Sequence, residues 1–293
     1  MRRIIALAAL ATLLALAALW WTGGFNALAH WAAGQQRGFQ NSIASGLRAT
    51  RGGDTAAFWA VLLASFAYGV VHAAGPGHGK IVIGGYGLAR SVPMLRLSLI
   101  ALAASLGQAV TAVVLVYAGI LLLGLGREAL VGVTEDIMAP ASYGAIALIG
   151  LWLIWRGLRH ARQKKVAHSE EVCGHCGHAH GPSLAQVQQA GSLRDALLLI
   201  AGIAIRPCTG ALFVLVITWH MGIGGVGVLG AFAMALGTGL ITIATGLAAT
   251  GLRAGVLGGL AGSPRLAQAA AVAELTAGLI VVTLAGGLLL RAL

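Results

Sequence analysis

Acidic side chains are nearly missing from this sequence. It has eight Asp and Glu among 293 residues, and only 9% of the chain is charged. Soluble domains carry about 25% charged residues. With 58% of residues hydrophobic and 44 glycines, too little polar surface is available to cover a water-soluble globule, and a disordered chain would not be this apolar. Three cysteines, Cys173, Cys176 and Cys208, cannot build a disulfide framework. No His-Glu-x-x-His occurs, which argues against an intramembrane metalloprotease, and no G-x-x-x-x-G-K-[ST], which argues against ATP hydrolysis by this chain. The composition describes an all-α polytopic membrane protein with the lipid bilayer as its first partner, acting as something other than an enzyme.

The net charge of +11 would suggest nucleic acid in a soluble protein. Here the basic residues sit in short connections between apolar runs, so they report topology and no nucleic-acid partner is expected. Seven apolar segments approach the ~20 residues needed to cross a bilayer: about 4–22, 56–89, 97–123, 140–158, 194–220, 223–250 and 268–290. With the N-terminus cytoplasmic, thirteen basic residues fall inside (Arg2, Arg3, Lys80, Arg90, Arg96, Arg156, Arg159, Arg162, Lys164, Lys165, Arg194, Arg253, Arg265). Five fall outside (Arg37, Arg48, Arg51, Arg127, Arg291). The expectation is a multi-pass protein of the bacterial inner membrane with its C-terminus periplasmic. Residues 1–23 read as a transmembrane anchor or signal-like segment, and 24–54 as an interfacial or periplasmic amphipathic helix ended by Gly52-Gly53. Residues 55–158 read as a first group of three spans, 159–193 as a cytoplasmic Cys/His-rich loop, and 194–293 as a second group of three.

Each group opens with an interrupted helix. Gly75-Pro76-Gly77 breaks the first, and Arg206-Pro207 breaks the second. Proline removes a backbone donor and clashes with the preceding turn. Irregular backbone at membrane depth is tolerated only where it is buried or lines a polar cavity. Three spans per group is an odd number, so the groups enter the membrane from opposite sides. Six spans thus form a 3+3 inverted repeat whose first helices are Pro-broken, the arrangement that marks a transporter's midplane site.

Ionisable groups are costly in a bilayer, and they gather at these breaks. His72, His78 and Lys80 accompany the first; Arg206, Cys208 and Thr209 accompany the second. On a regular helix His72 and His78 would lie about 240° apart, but the Gly-Pro-Gly interruption lets both rings approach one point. Neutral imidazole and thiolate suit Ni²⁺, Co²⁺, Zn²⁺ and Cu²⁺. The expected ion site is therefore His72 and His78 with Cys208 assisting. Pro76 and Pro207 shape the breaks, and Lys80, Arg206, Thr209, Gln108, Thr238 and Glu274 are candidates for the transport path or its gating. The loop carries Cys173, His175, Cys176, His178 and His180, five donors within eight residues. This Cys-x-x-Cys with interleaved histidines favours metal capture over a redox pair.

The run His72-Ala73-Ala74-Gly75-Pro76-Gly77-His78-Gly79-Lys80, together with Arg206-Pro207-Cys208-Thr209-Gly210-Ala211, resembles the NicO family of RcnA-like nickel/cobalt transporters. The resemblance implies secondary transport of Ni²⁺ or Co²⁺ across the bacterial inner membrane, as efflux more than uptake. The metal would be cargo, with no resident cofactor. The family loop is often a long His/Asp run, whereas this one mixes Cys with His and so also suits Zn²⁺. A homo-oligomer is compatible with such a protein. The alternative, a thiol-electron carrier of the CcdA or DsbD kind, also uses paired Pro-broken helices. It needs a redox cysteine in each half, and residues 70–80 have none.

Overall fold

The computed structural model describes residues 21–75, 78–162, 193–258 and 266–292. Regular structure among the described residues is helical throughout. In chain order come α1 (Gly24–Arg51), α2 (Thr55–Ala74), α3 (His78–Ala89), α4 (Met94–Leu123) and α5 (Arg127–Gly132). A π-helical stretch, Val133–Met138, leads into α6 (Ala139–Arg162). Then follow α7 (Leu193–Ala204), α8 (Thr209–His220), α9 (Gly224–Gly258) and α10 (Leu266–Ala292). The expected first span at 4–22 and the Cys/His motif of the loop lie outside the described residues.

Among the described residues, five stretches are long and apolar enough to cross a bilayer: Thr55–Ala74, Met94–Leu123, Arg127–Arg159, Gly224–Leu257 and Ala269–Leu290. The pair α7 and α8, bent by 59°, makes a sixth. The segment read from sequence as one long broken span resolves differently. Its first 20 residues, α2, are already of crossing length at about 30 Å, and α3 adds a 12-residue half-helix beyond the break.

Local chemistry sets the ends. The Asp54 carboxylate accepts from the N–H groups of Ala56 (2.8 Å) and Ala57 (3.1 Å), an N-cap of the kind that contributes about 1 kcal/mol. Helix α1 stops at Arg51, before Gly52-Gly53 as expected. Gly124, at φ 60°, closes α4 in the left-handed conformation that favours glycine.

Small residues let the spans approach closely, as membrane helices require. Helices α2 and α9 run parallel, with Ser65 near Gly230, Gly69 against Met234 and Phe66 against Gly237. Helix α3 continues along the same partner, with Ile83 near Gly246 and Gly87 near Ala249. Helix α4 runs parallel to the α7–α8 pair, with Gly107 against Ala204 and the Tyr117 ring 5.2 Å from that of Trp219. Helices α6 and α10 are antiparallel, with Gly157 near Leu275 and Gly150 near Val282. Each broken helix therefore packs on the middle span of the other half, and the two last spans pack on each other.

The buried apolar residues form two principal clusters. One joins Ile43, Leu47, Val61, Tyr68, Val116, Leu215 and Met234. The other joins Ile83, Tyr86, Leu97, Ile146, Leu199 and Val281. Along α2–α3 and along α7–α8 the seam between clusters falls at the breaks. Leu95, Leu99, Leu121 and Leu122 are exposed on the outside of α4, where lipid would cover them.

The α2–α9 contact gives a direct test. A Cβ on Gly237 would lie 2.2 Å from the Phe66 carbonyl oxygen and 2.9 Å from the Val70 nitrogen. Backbone cannot yield as a side chain does, so Gly237→Ala is expected to cost at least ~3 kcal/mol. The folded fraction in detergent, read by size-exclusion chromatography, should fall sharply. Gly144→Ala, with nothing within 4 Å of its added carbon, should be tolerated; equal yields for both variants would refute this packing.

Candidate functional site

Proline at a break leaves helix carbonyls without their usual partners. At the first break Lys80 reaches back, and its Nζ donates to the carbonyls of Ala74 (3.3 Å) and Gly75. The ammonium thus sits at the negative end of α2. The sequence marked Lys80 for the transport path; it acts as a helix cap that also lines a small cavity.

At the second break the carbonyls are met from neighbouring helices. Gln108 Nε2 donates to the carbonyls of Ile203 and Arg206, both at 3.2 Å. Ser142 Oγ donates to the Gly202 carbonyl at 2.8 Å. Pro207 is buried at the turn. The Arg206 guanidinium lies 2.8 Å from the Glu135 carboxylate, donates to the Tyr143 hydroxyl, and sits 5.1 Å from that ring's centroid. Glu135 belongs to the π-helical stretch, and such stretches are frequent at functional sites.

The two breaks meet. Cys208 is the N-cap residue of α8, and its carbonyl accepts from the N–H groups of Ala211 (3.0 Å) and Leu212 (3.2 Å). Cys208 thus stands at the positive end of α8. His72, in the last turn of α2, lies beside this residue. The imidazole stacks on Tyr68 with ring centroids 5.8 Å apart and planes 10° from parallel. The Tyr68 hydroxyl meets the side chains of Thr209 and Gln40. His72 Nδ1 lies 3.1 Å from Gln36 Oε1. Gly210 makes the approach feasible, since a Cβ there would lie 2.3 Å from the Tyr68 ring.

Beside this constellation is a cavity of about 50 Å³ lined by His72, Ala73, Gly79, Lys80, Ser105, Gln108, Ile203, Thr238 and Thr242. That is room for one or two waters or a bare cation. Thr238 also donates to the Gly69 carbonyl at 3.3 Å, so it both pins α9 to α2 and faces the cavity. Glu274 stands elsewhere. It is buried in α10, 3.5 Å from Arg156 of α6, near the helix ends where Arg90 lies 3.6 Å from Asp195.

The arrangement brings together one imidazole nitrogen and one sulfur, the borderline-soft pair that late first-row divalent ions favour. Among the described residues no group of three or more His, Cys, Asp or Glu could hold a metal ion. The hydroxyls of Tyr68 and Thr209 lie close by. His78 opens α3, but its side chain, Pro76, and Cys173, His175, Cys176, His178 and His180 lie outside the described residues.

Several participants were not singled out from the sequence. Gln36 and Gln40 belong to the segment read as an interfacial or periplasmic helix; this helix, α1, packs lengthwise and antiparallel on α2, with Ala32 near Gly75 and Gly46 against Val61. Their one-turn spacing on the face that also carries Ile43 and Leu47 was the available signal. Glu135 lies between the apolar segments 97–123 and 140–158 and is not among the site residues expected from the sequence. An arginine inside a span calls for a carboxylate, and that demand was the clue to it.

Comparison with known proteins adds an independent line. The family model NicO, described as a high-affinity nickel-transport protein, matches residues 58–172. A Haemophilus influenzae (strain ATCC 51907 / DSM 11121 / KW20 / Rd) protein named "Putative nickel/cobalt efflux system" is 30% identical over 226 residues, 70% of either chain. No solved structure matches.

Proposed function

The chain belongs to the NicO family, and from that premise we propose that it is a secondary transporter carrying Ni²⁺ or Co²⁺ out across the bacterial inner membrane. The ion site we propose is the junction of the two breaks, with His72 and Cys208 as ligands. The observation that carries it is the meeting of the two breaks, where Tyr68 stacks on His72 at the end of α2 and packs on Gly210 at the start of α8, next to Cys208. Nickel and cobalt come from the family and from the relative's name; the donor chemistry agrees with them and also accommodates Zn²⁺. Neither comparison points to a thiol-electron carrier.

The mechanism follows from the residues. Binding requires an unprotonated imidazole and a thiolate, so loading an ion releases protons and reloading protons displaces it. That is a route to proton coupling. Lys80 and Arg206 hold their charges on carbonyls and on Glu135 respectively. The exchanged pairing of broken and middle spans supports two halves of opposite sense, which could rock about the site. The excess of basic residues on one side supports a cytoplasmic N-terminus, with the Cys/His loop as a capture segment on that side.

The test is cellular nickel and cobalt content at fixed external metal, with and without the gene. Lower content with the gene present is expected for export. Higher content would reverse the direction, and equal content would remove the proposal.

A further inference from the structure

We propose that Gln36 of α1 is a positioning residue for the ion site: by accepting the Nδ1–H of His72 it fixes the tautomer that leaves the Nε2 lone pair for the ion. This inference rests on the reading of His72 as a ligand. It adds a helix that lies outside the matched residues 58–172.

The argument begins with the 3.1 Å contact between Gln36 Oε1 and His72 Nδ1. An amide oxygen can only accept, so the ring nitrogen must donate. A neutral imidazole has one N–H. Its other nitrogen, Nε2, is therefore bare, and Cys208 is among the ring's neighbours. Metal-binding histidines are held in this way by a partner on the non-ligating nitrogen, which sets both tautomer and ring orientation.

The contact is built into the packing. Helix α1 is antiparallel to α2, so Gln40, one turn after Gln36, meets Tyr68, one turn before His72. The two rungs are registered by Ala32, Ile43 and Leu47, which are buried on the same helix. Tyr68 then closes the face of the imidazole by stacking on it. Thus α1 holds the edge of the ring and α2 its face, while the break presents the sulfur.

The experiment uses the full-length protein with loop donors Cys173, His175, Cys176, His178 and His180 replaced by serine or asparagine, so that the central site alone is read. The His72 tautomer is observed by long-range ¹H–¹⁵N correlation without added metal, assigned by difference from His72→Asn. The expected tautomer is Nδ1–H. Gln36→Met, which removes the acceptor, is expected to shift it toward Nε2–H and to weaken Ni²⁺ binding about 10- to 100-fold. Gln36→Glu keeps an acceptor and should retain both tautomer and affinity within a few-fold. If the methionine variant does not insert, Gln36→Asn, one carbon shorter, serves in its place. An Nε2–H tautomer in the parent protein, or no change on removing the acceptor, overturns the proposal. A switched tautomer with unchanged Ni²⁺ affinity overturns the reading of His72 as a ligand instead.

Discussion

Cells carrying His72→Ala are expected to accumulate nickel and cobalt like cells without the gene, although the variant reaches the membrane in ordinary amounts. Loss of an outer partner of a metal-binding histidine costs about 10- to 100-fold. Loss of the histidine itself, where thiol and imidazole are the pair of nitrogen and sulfur donors brought together, should exceed that. Insertion should survive because the helix does not depend on this side chain. The first break is capped by Lys80, and α2 is held to α9 through Gly69 and Gly237. His72→Gln, which keeps a polar group at the Gln36 contact but offers no imidazole, should fail in transport as fully as the alanine. Western blotting of membranes and metal analysis of the same cells check both halves of the expectation. Normal tolerance with either variant would remove His72 from the site.

The second large effect is expected at Glu135. Arg206 is partly buried inside a bent span, and its carboxylate partner is 2.8 Å away. An arginine at membrane depth without a counter-charge costs about 2.5–3.5 kcal/mol on insertion scales, and Tyr143 remains to offset part of that. Glu135→Leu should therefore lower stability by roughly 2 kcal/mol, seen as a lower melting temperature in detergent. Glu135→Gln, which retains an acceptor, should lose less. Arg206→Met combined with Glu135→Leu should recover at least half of the loss, since an unpaired charge is worse than an absent pair. If the double variant were less stable than the sum of the two singles, the pair would have another role in the fold.

The parts of this protein that were legible in the sequence are those set by local chemistry. Proline and glycine at 75–77 and 206–207 mark breaks whatever surrounds them. Imidazole and thiol beside those breaks point to a site because they are expensive there. The helix end at Gly52-Gly53 is equally local. The parts that were not legible depend on which helices lie side by side. Gln36 and His72 are 36 residues apart, and Arg206 and Glu135 are 71 apart; neither pair has any spacing rule. The amphipathic pattern of α1 does not say which partner its apolar stripe meets, and Ile43 and Leu47 are buried in the cluster with Val61 and Tyr68 of α2. Gln108, a candidate for the transport path, does line the cavity. Its amide is occupied by two carbonyls of the second break, a demand that exists only once α4 and α7 are packed together.

The central claim is that Cys208 and His72 share one ion, and the cobalt absorption spectrum tests it most directly. With Cys173 and Cys176 changed to serine, Cys208 is the last thiol in the chain. Added Co²⁺ is then expected to give a thiolate-to-cobalt charge-transfer band that vanishes in Cys208→Ser and is strongly reduced in His72→Ala. No such band in the parent, or one of full intensity after His72→Ala, would contradict the shared site.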